Sequence, residues 1–164
     1  MKFTISATEL NAKLIALAKV MNSKVALPIY STFLLELKDG VLRITASDMD
    51  CSRCSTLPVI DMDGANGHSE SICVTASFLL DSLKNLGDQP VTFEADEENL
   101  SVVIRYNNGQ FDMVGFPAKD YVLPGTMEKN VKATIEASVL NDSIGKSLYA
   151  VGNDDLRQIG RAHV

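Results

Sequence analysis

Apolar and polar residues alternate through three short stretches that then change period. FTISATEL (3–10), CVTASFL (73–79) and TIEASVL (134–140) each run as alternating strand-like residues into an alanine, a hydroxyl and a leucine. The hydroxyls Thr8, Ser77 and Ser138 are natural helix-start residues, able to accept from unpaired backbone N–H groups. The leucines open stripes at helical spacing: Leu10, Leu14, Leu17 and Met21; Leu79, Leu83 and Leu86; Leu140, Ile144 and Val151. Such spacing places each set on one helix face. The shared phase marks an internal repeat.

The residues behind each helix extend the repeat. FLLEL (33–37) and VLRITA (41–46) flank Asp39-Gly40, a strong hairpin signal, and a further strand is expected through 51–60. VTFEA (91–95) and LSVVIRY (100–106) alternate, and Asn108-Gly109 turns the chain into QFDMVGF (110–116). Both repeats therefore read strand, helix, then three strands. Residues 1–117 are expected to form one α+β domain with two helices on one face of antiparallel sheet. Residues 118–130 read as a linker. The third copy supplies a strand and helix over 131–157 with no hairpin behind them, which reads as the opening of a truncated second domain. The closing QIGRAHV (158–164) fits neither strand nor helix and is taken as a non-native tail.

Composition narrows the function. The chain has 164 residues, 46% of them hydrophobic, enough for one ordinary core. No apolar run approaches the roughly 18–20 residues that span a bilayer. The N-terminus reads as strand, and three cysteines suit a reducing compartment, so a cytoplasmic location is expected, with no membrane partner. A net charge of −6 argues against a free-standing nucleic-acid binder, though not against one whose few cations share a face.

Several motifs jointly resemble the bacterial DNA polymerase III beta sliding clamp family. They are the start MKFTI, LPI (27–29), the G-x-L-x-I-T-A-S-D-M-D run (40–50), VTASFLLDSLKNL (74–86) and AVGNDDLR (150–157). The resemblance runs from residue 1 to about 157. It implies a DNA-clamp fold of two strand–helix–three-strand units per domain. It also implies a non-enzymatic processivity factor in which two subunits close head to tail around duplex DNA. Helices would line the hole, and DNA polymerase III and a clamp loader would be partners. This chain would supply the first domain and the opening of the second.

An acidic clamp is physically reasonable, because a ring retains DNA by enclosure and strong phosphate contacts would resist sliding. Lys13, Lys19, Lys84 and Lys146 lie off the apolar stripes, and Lys24 matches a basic DNA-contacting position of the family. The resemblance also implies a ring-closing sheet edge within 103–113, with Arg105, Phe111 and Met113 as contacts. Phe111 and Met113 read equally as core residues at strand alternation. Arg157 matches an arginine of the family's partner-peptide pocket, here incomplete.

Other chemistries are weaker. Cys51-Ser-Arg-Cys54 has a C-x-x-C spacing, but only Cys73 and His68 could complement it. Asp48 with Asp50, and Asp61 with Asp63, place paired carboxylates that could hold Mg²⁺ for phosphoryl transfer; turn and outer-sheet acids are the plainer reading. Neither a P-loop nor a dinucleotide fingerprint is present, and no cofactor or catalytic residue is expected.

Overall fold

Alternation in the strands and 3.6-residue spacing in the helices place the apolar side chains of both in one layer between them, and this organises the fold. A computed structural model describes residues 1–21, 27–48, 51–62, 69–123 and 133–151. The chain divides into two compact units, Met1–Gly125 and Thr126–Val164.

In the first unit, β1 (Lys2–Ser6) runs directly into α1 (Ala7–Ala18), followed by β2 (Thr32–Lys38), β3 (Val41–Ser47), β4 (Ser52–Pro58) and the short β5 (Asp61–Met62). The pattern repeats with β6 (Glu70–Thr75), α2 (Ala76–Lys84), β7 (Pro90–Ala95), β8 (Ser101–Tyr106), β9 (Gly109–Val114) and the short β10 (Phe116–Pro117). The strands form two five-stranded antiparallel sheets, ordered β5-β1-β7-β8-β9 and β10-β6-β2-β3-β4. The leading strand of each repeat pairs with the hairpin of the other. Phe3 faces Phe93 and Ile5 faces Val91 in one sheet; Phe33 faces Val74 and Leu35 faces Ile72 in the other. The Phe3 and Phe93 rings stack with centroids 5.0 Å apart. The expected antiparallel sheet is divided into two, related by a pseudo-twofold exchange, and neither repeat closes a sheet alone.

The helix stripes behave as their spacing predicts. Leu10, Leu14 and Leu17 of α1, and Leu79 and Leu83 of α2, are buried in one cluster with Phe3, Phe33, Phe93 and Ile104. Burying each leucine contributes about 1.5–3 kcal/mol. The helix starts lie earlier than expected. Ser6, Thr75 and Glu136 occupy the cap positions, and Thr8, Ser77 and Ser138 fall one residue inside the helices. The reason is visible at the first junction. The ladder between β1 and β7 reaches Ser6, and the Ala7 N–H still donates to the Gln89 carbonyl at 2.9 Å, so the helix begins without an intervening loop. Ala7 and Ala76 are buried at these elbows, where a larger side chain would meet the core.

The first hairpin turns on Asp39 (φ 49°) and Gly40 (φ 76°), the left-handed pair that a two-residue connection requires. The second turns on Asn107–Asn108, one residue before the expected pair. The linker expected over 118–130 begins later. Residues 118–120 form a 3-10 turn, and Tyr121 is buried with Tyr30, Leu34 and Cys73 on the outer face of the β6–β2 sheet. There the Tyr30 hydroxyl donates to the Val122 carbonyl at 2.9 Å. Residues 124–130 lie outside the described residues.

The second unit contributes α3 (Ala137–Ser147) and a 3-10 turn at Leu148–Ala150. Residues 133–136 form no strand among the described residues; 131–132, where the expected opening strand begins, and the 152–164 segment, including the expected tail, lie outside the described residues. Leu140 and Ile144 are exposed.

Candidate nucleic-acid interface

Strand alternation gives each sheet of the first unit a core face, covered by α1 and α2, and an outer face. The basic residues on these two faces differ in their surroundings. On the outer face, Lys2 and Arg105 flank Glu94 at 3.4 and 3.3 Å, and Arg43 lies 3.7 Å from Glu36. Arg105, then Lys2, holds the Glu94 carboxyl below the usual carboxylate range. The charges of these three residues are locally cancelled.

The exposed cations of the helix layer are not cancelled in this way. Lys13 lies on α1, Lys84 ends α2, and Lys19 caps the C-terminal end of α1 instead of lying within it. Among the described residues, none of these three has a carboxylate within ion-pair distance. Lys146 is likewise exposed on α3, in the second unit. Lys24 and Arg157 lie outside the described residues.

Sequence reasoning missed Arg53. Alternation back from the buried Leu57 puts positions 55 and 53 on the helix side of β4, and the Arg53 Nη1 donates to the Ala16 carbonyl of α1 at 3.1 Å. Cys51 precedes β4 and Cys54 lies on it; both are exposed free thiols, whereas Cys73 is buried.

The sheet edge implied by the resemblance is β9, and Arg105 sits one strand inward, on β8. The Gly115 N–H donates to the Leu100 carbonyl at 2.7 Å, which fixes the phase of the β8–β9 ladder. Met113 and Phe111 exchange bonds with β8, and Gln110, Asp112 and Val114 turn their amides toward the free edge. Phe111 and Met113 point to the core side and are half-buried; Phe111 stacks on Tyr106 with centroids 4.9 Å apart. Both therefore serve as core residues, but Phe111 also lines a cleft of about 670 Å³ with Phe78, Asp81, Leu86 and Tyr106. The half-exposed Phe78 on α2 was not singled out from sequence, because a lone aromatic beside a leucine stripe carries no distinctive spacing.

The acidic doublets do not assemble a site among the described residues. Asp48 Oδ1 accepts the Cys51 amide at 2.8 Å in a turn, and Asp61 stands opposite Thr4 in β5; Asp50, Asp63 and His68 lie outside the described residues. No group of three His, Cys, Asp or Glu side chains among the described residues is placed to hold a metal. No helix among them is long and apolar enough to cross a membrane.

Known proteins similar to this chain share this fold. The beta sliding clamp of Vibrio cholerae is 26% identical over 160 residues, covering 96% of this chain and 42% of its own length. That of Bacillus subtilis is 26% identical over 162 residues, covering 97% and 43%. Among solved structures, the DNA polymerase III subunit beta of Pseudomonas aeruginosa superposes with a TM-score of 0.82 at 23% identity, over 96% of this chain and 41% of its own. The Helicobacter pylori beta clamp bound to a DNA ligase peptide does so with 0.80 at 22%, over 96% and 42%. The chain spans less than half the length of these relatives. The family model described as DNA polymerase III beta subunit, N-terminal domain, matches residues 1–124, and the chain belongs to that family.

Proposed function

We propose that the first unit is a wall segment of a DNA sliding clamp, a processivity factor that encircles duplex DNA and tethers a polymerase. The observation that carries this reading is the sorting of charge. Among the described residues, Lys13, Lys19 and Lys84 of the helix layer stand without carboxylate partners, while Lys2, Arg43 and Arg105 on the outer sheet face are paired with glutamates. A duplex inside a ring would meet the first set and be refused by the second. Few contacts suffice, because enclosure and not affinity prevents loss, and each added phosphate contact would slow sliding.

In this reading Lys13, Lys19, Lys84 and Lys146 face DNA, joined by Lys24 from the resemblance. The β9 edge closes a homodimeric ring, with Phe111 and the cleft beside it accepting apolar groups of the facing subunit, and Met113 and Arg105 bracing the strand. DNA polymerase III and a clamp loader are the partners. Arg157 contributes to a pocket for short partner peptides; the H. pylori clamp bound to a ligase peptide is a precedent in a similar protein. The protein works in the cytoplasm, without catalysis or cofactor.

The test is topological. The intact gene product is loaded by its clamp loader onto nicked circular duplex, and the circle is then cut. Retention on circles with loss from linear ends is expected. Equal retention on both forms would mean contact binding and would refute enclosure.

A further inference from the structure

We propose that Arg53 is a phosphate-contacting residue that joins Lys13 and Lys19 in one cationic track along α1, taking the backbone of duplex DNA. This rests on the reading that the helix layer faces DNA. It adds a residue from strand β4 to an interface otherwise drawn from helices.

The register fixes the direction of the side chain. Arg53 pairs with Ala46, Ser55 with Ile44 and Leu57 with Leu42, and Ala46, Ile44 and Leu42 are all buried on the helix side. Because β4 is an edge strand, no neighbouring strand covers Arg53 on its open flank. The side chain instead crosses to α1, where its Nη1 meets the Ala16 carbonyl. Ala16 is three residues from Lys13 and three from Lys19. Each step is about 4.5 Å along the helix axis with about 60° of rotation, so the guanidinium sits midway along a track about 9 Å long that winds around the end of α1. Each strand of B-form DNA carries one charge per about 3.4 Å of axis, so such a track spans about two or three phosphates of one backbone.

The contact to Ala16 prepares the guanidinium without consuming it. One of its five donors is used, and the planar fork that suits a phosphate remains available. Ala16 lies near the partly negative C-terminal end of α1, which favours the Arg53 charge there alongside Lys19 at the cap. Among the described residues Arg53 has no carboxylate within ion-pair distance, although it is exposed, whereas Lys2, Arg43 and Arg105 on the outer face all do. The acid on α1 is Glu9, two turns before Ala16 and about 10 Å from it along the axis.

The experiment measures binding of the intact gene product to a short fluorescent duplex by anisotropy across a salt series. Each phosphate contact contributes about 0.9 to the log–log slope, so over a fourfold rise in salt Arg53→Gln is expected to lose about 3.5-fold less affinity than wild type. Arg53→Lys should keep the wild-type slope. A wild-type slope in Arg53→Gln, alongside a reduced one in Lys13→Gln, would make Arg53 a helix cap only and overturn the proposal. Absence of any salt-dependent binding by wild type would instead remove the DNA-facing reading itself. A second measurement needs no variant: duplex DNA should protect Arg53 of the wild-type protein from phenylglyoxal, read by mass spectrometry. Equal modification with and without DNA would overturn the proposal even where Arg53→Gln fails to fold.

Discussion

Asp112→Pro separates the β9 edge as an interface from β9 as a mere outer strand. The phase of the β8–β9 ladder turns the Asp112 amide toward the free edge, so proline there removes no bond to β8. Its carboxylate does accept from the Gln110 side-chain amide at 3.0 Å, an exposed contact of small energetic weight. The fold should therefore survive, with a modest drop in urea midpoint. Strand addition from a second subunit should not survive. Proline deletes one inter-subunit hydrogen bond, worth about 0.5–1.5 kcal/mol net, and strands the incoming carbonyl at a further cost of about 1–3 kcal/mol. Together these predict dimerisation weaker by roughly one to three orders of magnitude, since 1.4 kcal/mol is tenfold. Sedimentation equilibrium of the intact gene product reads the dissociation constant, and circular dichroism in urea reads the fold. An unchanged constant in a folded variant would refute edge pairing through β9.

Three further outcomes are expected. Leu14→Ala, at a fully buried position of the α1 stripe, should cost about 2–5 kcal/mol in denaturant unfolding; under 1 kcal/mol would mean that α1 does not hold the core together. Burial pushes the Cys73 thiol from 9.0 up to about 11, and the Tyr121 hydroxyl from 10.0 up to about 12. Both folded values lie above the unfolded ones, so their contribution is whole below pH 9 and is lost as pH rises through 11 and 12. Cys73→Ala should flatten the part of that alkaline fall between pH 9 and 11, and an unaltered slope would contradict the assignment. A thiol reagent should label Cys51 and Cys54 rapidly in the folded protein and Cys73 only after unfolding; early labelling of all three would mean that the Tyr30–Tyr121 cover is open.

The hairpins and helix stripes were legible because their determinants are local: alternation, helical spacing and an Asp-Gly turn. The exchange of leading strands was not. Thr4 meets Thr92 across the sheet, with hydroxyls 2.9 Å apart, but nothing within either strand names a partner 88 residues away. The helix caps were misplaced by two residues; at the first junction Ser6 both ends the ladder with β7 and accepts the Glu9 N–H as the cap, so the helix starts ahead of Thr8. The reach of the first unit past 117 did leave a trace. Leu34 breaks the alternation of β2, where Thr32 to Leu35 are buried on both faces, so the outer face had to be covered by something. Tyr30 and Tyr121 are that cover, and a polar stretch after Pro117 hid the second of them. For the candidate site, the lysines were visible as residues off the stripes, whereas their lack of partners depends on where every carboxylate lies in space.

The exchange also accounts for the way such a unit can be chained. Each five-stranded sheet ends in a two-residue strand, β5 or β10, on one side and in a long strand on the other. The two long free edges, β9 and β4, occupy equivalent positions in the two sheets. An edge with six or seven residues of unpaired backbone is an association site unless it is covered or strongly charged, and a two-residue strand is too short to act as one. A unit with one such edge would stop at a pair. A unit with two, on different sheets, can take a different neighbour at each, which is a heterologous arrangement, and one that closes when the rotation per unit divides a full turn. Ring formation in the proposed reading thus follows from the same pairing that makes each repeat dependent on the other. It places Arg53 on one of the two edges, so a change in its DNA contact that tracks ring closure would tie the cationic track and the edge to a single assembly.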